Sequence, residues 1–149
     1  MSGLSWLTIL RKRENFRRAF RDFSPSAVAR FGLRDVARLM DDEGIVRNRA
    51  KIEATINNAR RVPELIDEFG SFAAYVWKFA PPPRKRLLTW DQLIHAGVTP
   101  EATALSKDLR RRGWGFVGPT TVHSFMQAMG LVNDHVRGCA AGAEIVRLR

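Results

Sequence analysis

The sequence predicts an all-α protein. Apolar residues recur at intervals of three and four along most of the chain, the spacing that lines one face of a helix. The strict alternation of a half-buried strand is nowhere sustained, and there is no internal repeat or low-complexity tract. Prolines and glycines fall where the periodic runs begin and end, which is how helices are punctuated.

Taken in order, Leu4, Trp6, Leu7, Ile9, Leu10, Phe16, Ala19 and Phe20 form an apolar stripe, with Arg11, Lys12, Arg13, Arg17 and Arg18 on the remaining positions. This is one amphipathic helix with a basic side. Ser24-Pro25 reads as an N-cap followed by proline at the first helical position, opening a short helix over Ala27–Arg30. Another helix runs from Arg34 to Met40. Gly44 supplies the turn before Asn48–Asn58, whose Ile52, Ile56 and Ala59 share a face, and Pro63 is expected to limit that helix. Ser71 caps Phe72–Phe79. Pro81-Pro82-Pro83 cannot continue a helix and, with Arg84-Lys85-Arg86, forms an extended basic linker over 81–86. It separates subregions of a single domain spanning 1–149. Thr99-Pro100-Glu101 then opens a helix to Arg112 that Gly113 ends, and Gly118-Pro119-Thr120 opens one that Gly130 ends.

Composition narrows the function. A chain of 149 residues with 45% hydrophobic content has the means to bury a core, and 27% charged residues is not the signature of disorder. The net charge of +10 points to a polyanionic partner, nucleic acid first. A single cysteine, Cys139, excludes an internal disulfide framework. No apolar run is long enough to span a bilayer, and Met1–Leu4 lacks the charged start of a secretion signal, so a soluble, cytoplasmic monomer with no membrane partner is expected. Paired carboxylates, a Ser-His-Asp arrangement, a Walker loop and a Cys-x-x-Cys pair are all missing, which leaves the catalytic residues unassigned.

The segment Gly113-Trp114-Gly115-Phe116-Val117-Gly118 joins two helices as a hairpin. Glycines allow close backbone approach, and Thr120 and Thr121 stand where the second helix carries amide groups without intrahelical partners. Lys107, Arg110, Arg111 and Arg112 precede the turn, so charge and helix dipole both favour phosphate contact that ignores base sequence. The plainer alternative is a tight turn whose Trp114, Phe116 and Val117 serve the core. The basic cluster favours the nucleic-acid reading.

Four blocks carry a resemblance: Gly3-Leu4-Ser5-Trp6, Arg11-Lys12-Arg13-Glu14-Asn15-Phe16, Gly113-Trp114-Gly115-Phe116-Val117-Gly118-Pro119-Thr120, and Val132-Asn133-Asp134-His135-Val136-Arg137-Gly138-Cys139. Together they resemble the DNA-3-methyladenine glycosylase I family, in family order, from Gly3 to Cys139. Gly44 through Ile52, with Arg49-Ala50-Lys51-Ile52, also resembles the turn and helix shared by helix–hairpin–helix DNA glycosylases. The resemblance implies a helix–hairpin–helix glycosylase-like helical bundle. It also implies hydrolysis of the N-glycosidic bond of 3-methyladenine in alkylated double-stranded DNA.

Site roles follow by the same resemblance. Trp6 matches an aromatic residue that binds the flipped base, against the alternative that it packs in the core of an amphipathic helix. Gly3 and Leu4 match residues placed at the gap left by the flipped nucleotide. DNA-backbone contact at Gly113, Gly115, Gly118, Thr120 and Thr121 with Arg111 and Arg112 is read from the residues themselves: a glycine turn, a helix N-terminus and neighbouring guanidinium groups. His135 and Cys139 match two ligands of a structural zinc. The family's remaining cysteine and histidine ligands, its base-binding glutamate and a tyrosine lie upstream of the position matched by Met1. The chain as given is therefore expected to be truncated relative to the family, with an incomplete zinc site and weak zinc binding. Asp134 stands where other helix–hairpin–helix glycosylases carry a catalytic aspartate, but Asn133-Asp134 can equally cap the turn that carries His135, the reading favoured here. Two other readings fit the residues without the resemblance. One is a noncatalytic helix–hairpin–helix DNA-binding module; the other is a basic helical protein serving an acidic protein or RNA.

Overall fold

The computed structural model describes residues 5–84 and 86–148. Its helices are α1 Trp6–Arg11, α2 Arg13–Ala19, α3 Pro25–Val28, α4 Leu33–Asp41, α5 Arg49–Phe69, α6 Phe72–Trp77, α7 Trp90–Ala96, α8 Pro100–Arg111, α9 Pro119–Ala128 and α10 Ala140–Leu148. The protein is all-α: among the described residues the one β-type pairing is an isolated parallel bridge between Leu88 and Val136. None of the described helices is long and apolar enough to cross a membrane. The backbone groups into two compact units, Met1–Phe72 with Arg110–Phe116, and Ala73–Leu109 with Val117–Arg149.

In the first unit, Phe20, Val28, Phe31, Val36, Leu39, Ile45, Ile52 and Ile56 form a buried cluster. The first predicted helix is interrupted at Lys12, whose backbone (φ −94°, ψ 2°) leaves the helical range while its Nζ donates to Glu43 O at 2.7 Å. Arg21, Asp22 and Phe23 follow in the left-handed region with φ of 53°, 53° and 56°. Such a turn is costly for residues with a Cβ. It brings the Phe23 ring into a stack on Phe20, centroids 5.4 Å apart. Arg60 on α5 then caps α3 by donating to Ala29 O (2.9 Å) and Phe31 O (2.7 Å), a cation on otherwise unpaired helix-end carbonyls.

α5 departs most from expectation, because Pro63 does not limit it: the helix continues for two turns and ends at Gly70, whose N–H donates to Ile66 O. Proline removes one intrahelical donor and crowds the preceding turn, at a cost of about 3 kcal/mol. The apolar period carries on through Leu65, which is almost completely buried, and that burial offsets much of the loss. Asn48 caps the start, its Oδ1 accepting from Lys51 N at 3.0 Å.

In the second unit, Tyr75, Ala102, Leu105, Ser106, Val122, Met126, Leu131 and Val132 are buried. Ser106 Oγ donates to Val117 O (2.6 Å) and Tyr75 OH donates to Asp108 Oδ2 (2.9 Å), so the buried hydroxyls are satisfied. Thr99 caps α8 through its Oγ1, which accepts from Ala102 N. Residues 80–83 form no regular element, as the triple proline requires. Sequence periodicity did not mark α7, whose Thr89 and Gln92 exchange side-chain and backbone bonds as a capping box, nor α10.

Candidate functional site

The loop after α8 is held by two asparagines. Asn58, in the middle of α5, donates from Nδ2 to Gly115 O (3.0 Å) and accepts at Oδ1 from Gly115 N (2.8 Å). A single amide side chain thus satisfies both backbone groups of one loop residue, as a neighbouring strand would. Asn57 donates to Gly113 O at 2.9 Å and accepts from Arg61 Nε at 3.3 Å. Gly113 has φ of +78°, which strains any residue with a Cβ, and a Cβ there would also lie 2.7 Å from the mobile end of Arg61; one at 115 would lie 3.1 Å from the Ala54 Cβ, a tight contact that a small shift relieves. Trp114 stacks on Phe72, ring centroids 5.8 Å apart.

The basic residues divide. Arg112 is engaged in a bidentate pair with Glu68 (2.6 and 2.9 Å) and lies over the Phe69 ring at 5.2 Å. Arg110 and Arg111 are exposed on the last turn of α8. Phe116 is 54% exposed with φ of 56°, so of the aromatics considered for the core only Trp114 is tucked against another ring.

In the second unit, Gly118 is the N-cap of α9, and Thr120 and Thr121 are exposed on its first turn. Trp6, in the first unit, is 62% exposed on α1, a helix that buries none of its residues. It is therefore not a core residue. Gly3 and Leu4 lie outside the described residues.

Asp134 occupies a connected polar cluster of the second unit. Its Oδ1 accepts from Arg84 Nη1 at 2.5 Å, and its Oδ2 accepts from Gln127 Nε2 at 2.7 Å and lies 3.2 Å from His123 Nε2. Burial opposes ionisation of this carboxyl. Hydrogen bonds from Gln127 and Arg84, with the charge of Arg84 and the nearness of His123, outweigh it and hold the group below the ordinary carboxylate range. With both oxygens occupied, Asp134 acts as a clamp for the segment after the triple proline. Asn133 caps the adjoining turn by accepting from His135 N at 3.2 Å.

His135 Nδ1 and Cys139 Sγ are 3.4 Å apart. Zinc bonds of ~2.0–2.1 Å to nitrogen and ~2.3 Å to sulfur in a tetrahedral array separate N and S by ~3.5 Å, so this pair has the spacing of two ligands. The rest of the set does not follow. Among the described residues no three His, Cys, Asp or Glu side chains gather in one place. His95 bonds its own helix at Asp91 O, and His123 faces Asp134. The donors present do not fit a closed structural zinc site.

Sequence reasoning missed Asn57, Asn58, Arg84, His123 and Gln127. Only the asparagines left a signal: two adjacent poor helix formers in the interior of an otherwise regular helix.

A family model described as methyladenine glycosylase matches residues 1–142. DNA-3-methyladenine glycosylase 1 of Escherichia coli (strain K12) is 46% identical over 140 residues, covering 93% of this chain and 74% of that protein. The DNA-3-methyladenine glycosylase of Haemophilus influenzae is 38% identical over 138 residues, covering 93% of this chain and 75% of its own length. A solved structure of 3-methyladenine DNA glycosylase I from Staphylococcus aureus, described as showing the structural basis of 3-methyladenine recognition, aligns with a TM-score of 0.86 at 39% identity over 95% of this chain and 75% of that one. Sequence and backbone agree over the same span, and the chain belongs to the methyladenine glycosylase family.

Proposed function

We propose that the protein is a base-excision glycosylase that hydrolyses the N-glycosidic bond of 3-methyladenine in alkylated duplex DNA. The observation that carries this reading is the agreement, at a TM-score of 0.86, with a relative whose structure is described as explaining 3-methyladenine recognition. The chemistry asks little of the protein. Methylation at N3 places a positive charge on the base, so the N9–C1′ bond breaks with its electron pair passing to a base that leaves neutral. Water adds to C1′ of the oxocarbenium-like sugar and loses a proton, and an abasic site remains. The enzyme's work is to extrude the nucleotide, stack the base and admit water. The exposed indole of Trp6 supplies a stacking face for the extruded base.

DNA backbone contact is assigned to Gly113 and Gly115 with Arg111 and Arg112 in the first unit, and to the amide groups of Gly118, Thr120 and Thr121 at the start of α9. Gly3 and Leu4 are assigned to the gap left in the duplex. Arg110 and Arg111, both exposed on the last turn of α8, serve as the test. Changing both to alanine is expected to weaken binding to any duplex sequence and to reduce the slope of log affinity against log salt by about 1.8, the release of about two counterions. An unchanged slope in the folded variant would remove these arginines from the interface.

With two donors spaced for zinc and no third His, Cys, Asp or Glu gathered with them among the described residues, His135 and Cys139 hold the ion weakly and exchangeably. Elemental analysis of the monomer after dialysis should find well below one zinc per chain, and a chelator should leave the melting temperature unchanged. One tightly held zinc per chain would require ligands beyond these.

A further inference from the structure

Phe116 stands in the loop between α8 and α9. It adopts φ of 56°, a conformation that glycine takes without strain and a phenylalanine does not. The residue is 54% exposed, so burial does little to repay that strain. The backbone beneath it is fixed, because Asn58 binds both the N–H and the C=O of Gly115, the preceding residue. A strained, immobilised backbone therefore presents an apolar ring to the outside. The same stretch carries positive charge: Arg110 and Arg111 are exposed on the turn before the loop, and the Arg61 guanidinium lies against Gly113.

A flat apolar group set among guanidinium groups suits a partner that is anionic outside and apolar within. Duplex DNA has that character: phosphates line the grooves, and stacked bases open to an apolar wedge when a step is partly unstacked. We propose that Phe116 enters the minor groove of duplex DNA as a wedge, resting on a base step beside the damaged nucleotide and lowering the cost of extruding it. This rests on the reading of the protein as a DNA glycosylase and assigns a contact to a residue outside the base pocket. The strained backbone is the means of aiming the ring, since relaxation to negative φ would turn the side chain away from its fixed direction.

Phe116→Gly tests this with opposite expectations for folding and binding. Glycine accepts positive φ, so the variant should melt at or above the parent's temperature. Affinity for a duplex should fall about tenfold, in the range of a lost aromatic–base contact, while the salt slope stays that of the parent because no phosphate contact is removed. Phe116→Tyr, which keeps the ring, should bind like the parent. A duplex carrying 2-aminopurine should brighten when the parent binds and stay dim with Phe116→Gly. Parental affinity and brightening in Phe116→Gly would overturn the wedge while leaving the DNA reading intact. A marked fall in its melting temperature would also overturn it, by making the ring a packing residue. If the parent shows no salt-dependent duplex binding, the glycosylase reading fails and the wedge fails with it.

Discussion

Asp134→Ala should lower the stability of the protein by about 2–3 kcal/mol. The carboxylate is nearly buried and receives Arg84, Gln127 and His123 on its two oxygens. Removing it strands three polar groups that fold around it. Truncating one partner of a buried ion pair costs roughly 3–5 kcal/mol, but the Arg84 side chain is 32% exposed and water recovers part of that loss. Arg84→Ala should cost less, since Gln127 and His123 still serve the carboxylate. The double variant should cost less than the two single changes added together, because the second change removes a group already without its partner. Denaturant melts followed by circular dichroism measure all three. Asp134→Ala melting with the parent would mean that the cluster is not a clamp, and would reopen Asp134 as a group kept for chemistry.

Trp6→Ala should slow release of 3-methyladenine from alkylated DNA by roughly 10–100-fold, the rate equivalent of one lost aromatic–base stack. The indole is 62% exposed on a helix that buries nothing, so its removal disturbs no core and the variant should melt close to the parent. Binding to a duplex that already contains an abasic site should change little, because no base remains to stack on the ring. This separation of release from affinity distinguishes a pocket wall from a general DNA contact. Unaltered release would remove Trp6 from the site.

Several features of the fold were legible because they depend on neighbours in sequence. Pro100, Gly113, Pro119 and Gly130 bracket α8 and α9 as read, since caps and breakers act within a turn. Pro63 misled because its local penalty is overridden by tertiary burial of Leu65, which no short window reveals. At the candidate site the same division holds. Gly113 and Gly115 were visible as turn residues, but their fastening by Asn57 and Asn58 spans 56 and 57 positions. Arg112 read as a phosphate ligand from its place beside the loop. Its pairing with Glu68, 44 residues earlier, belongs to the fold. Asp134 read as a turn cap or a catalytic carboxylate from its neighbours in sequence, whereas its partner Arg84 lies 50 residues before it and belongs to the fold.

As a glycosylase, the protein should release a methylated base from DNA and not merely bind it. Duplex DNA treated with a methylating agent, incubated with the protein and separated from the free bases by chromatography, measures this directly. Free 3-methyladenine should accumulate well above the spontaneous rate, with an equal number of abasic sites left in the DNA and less of both with Trp6→Ala. Salt-dependent binding to that DNA with no base released above the spontaneous rate would contradict it, and would make the protein a noncatalytic DNA-binding module.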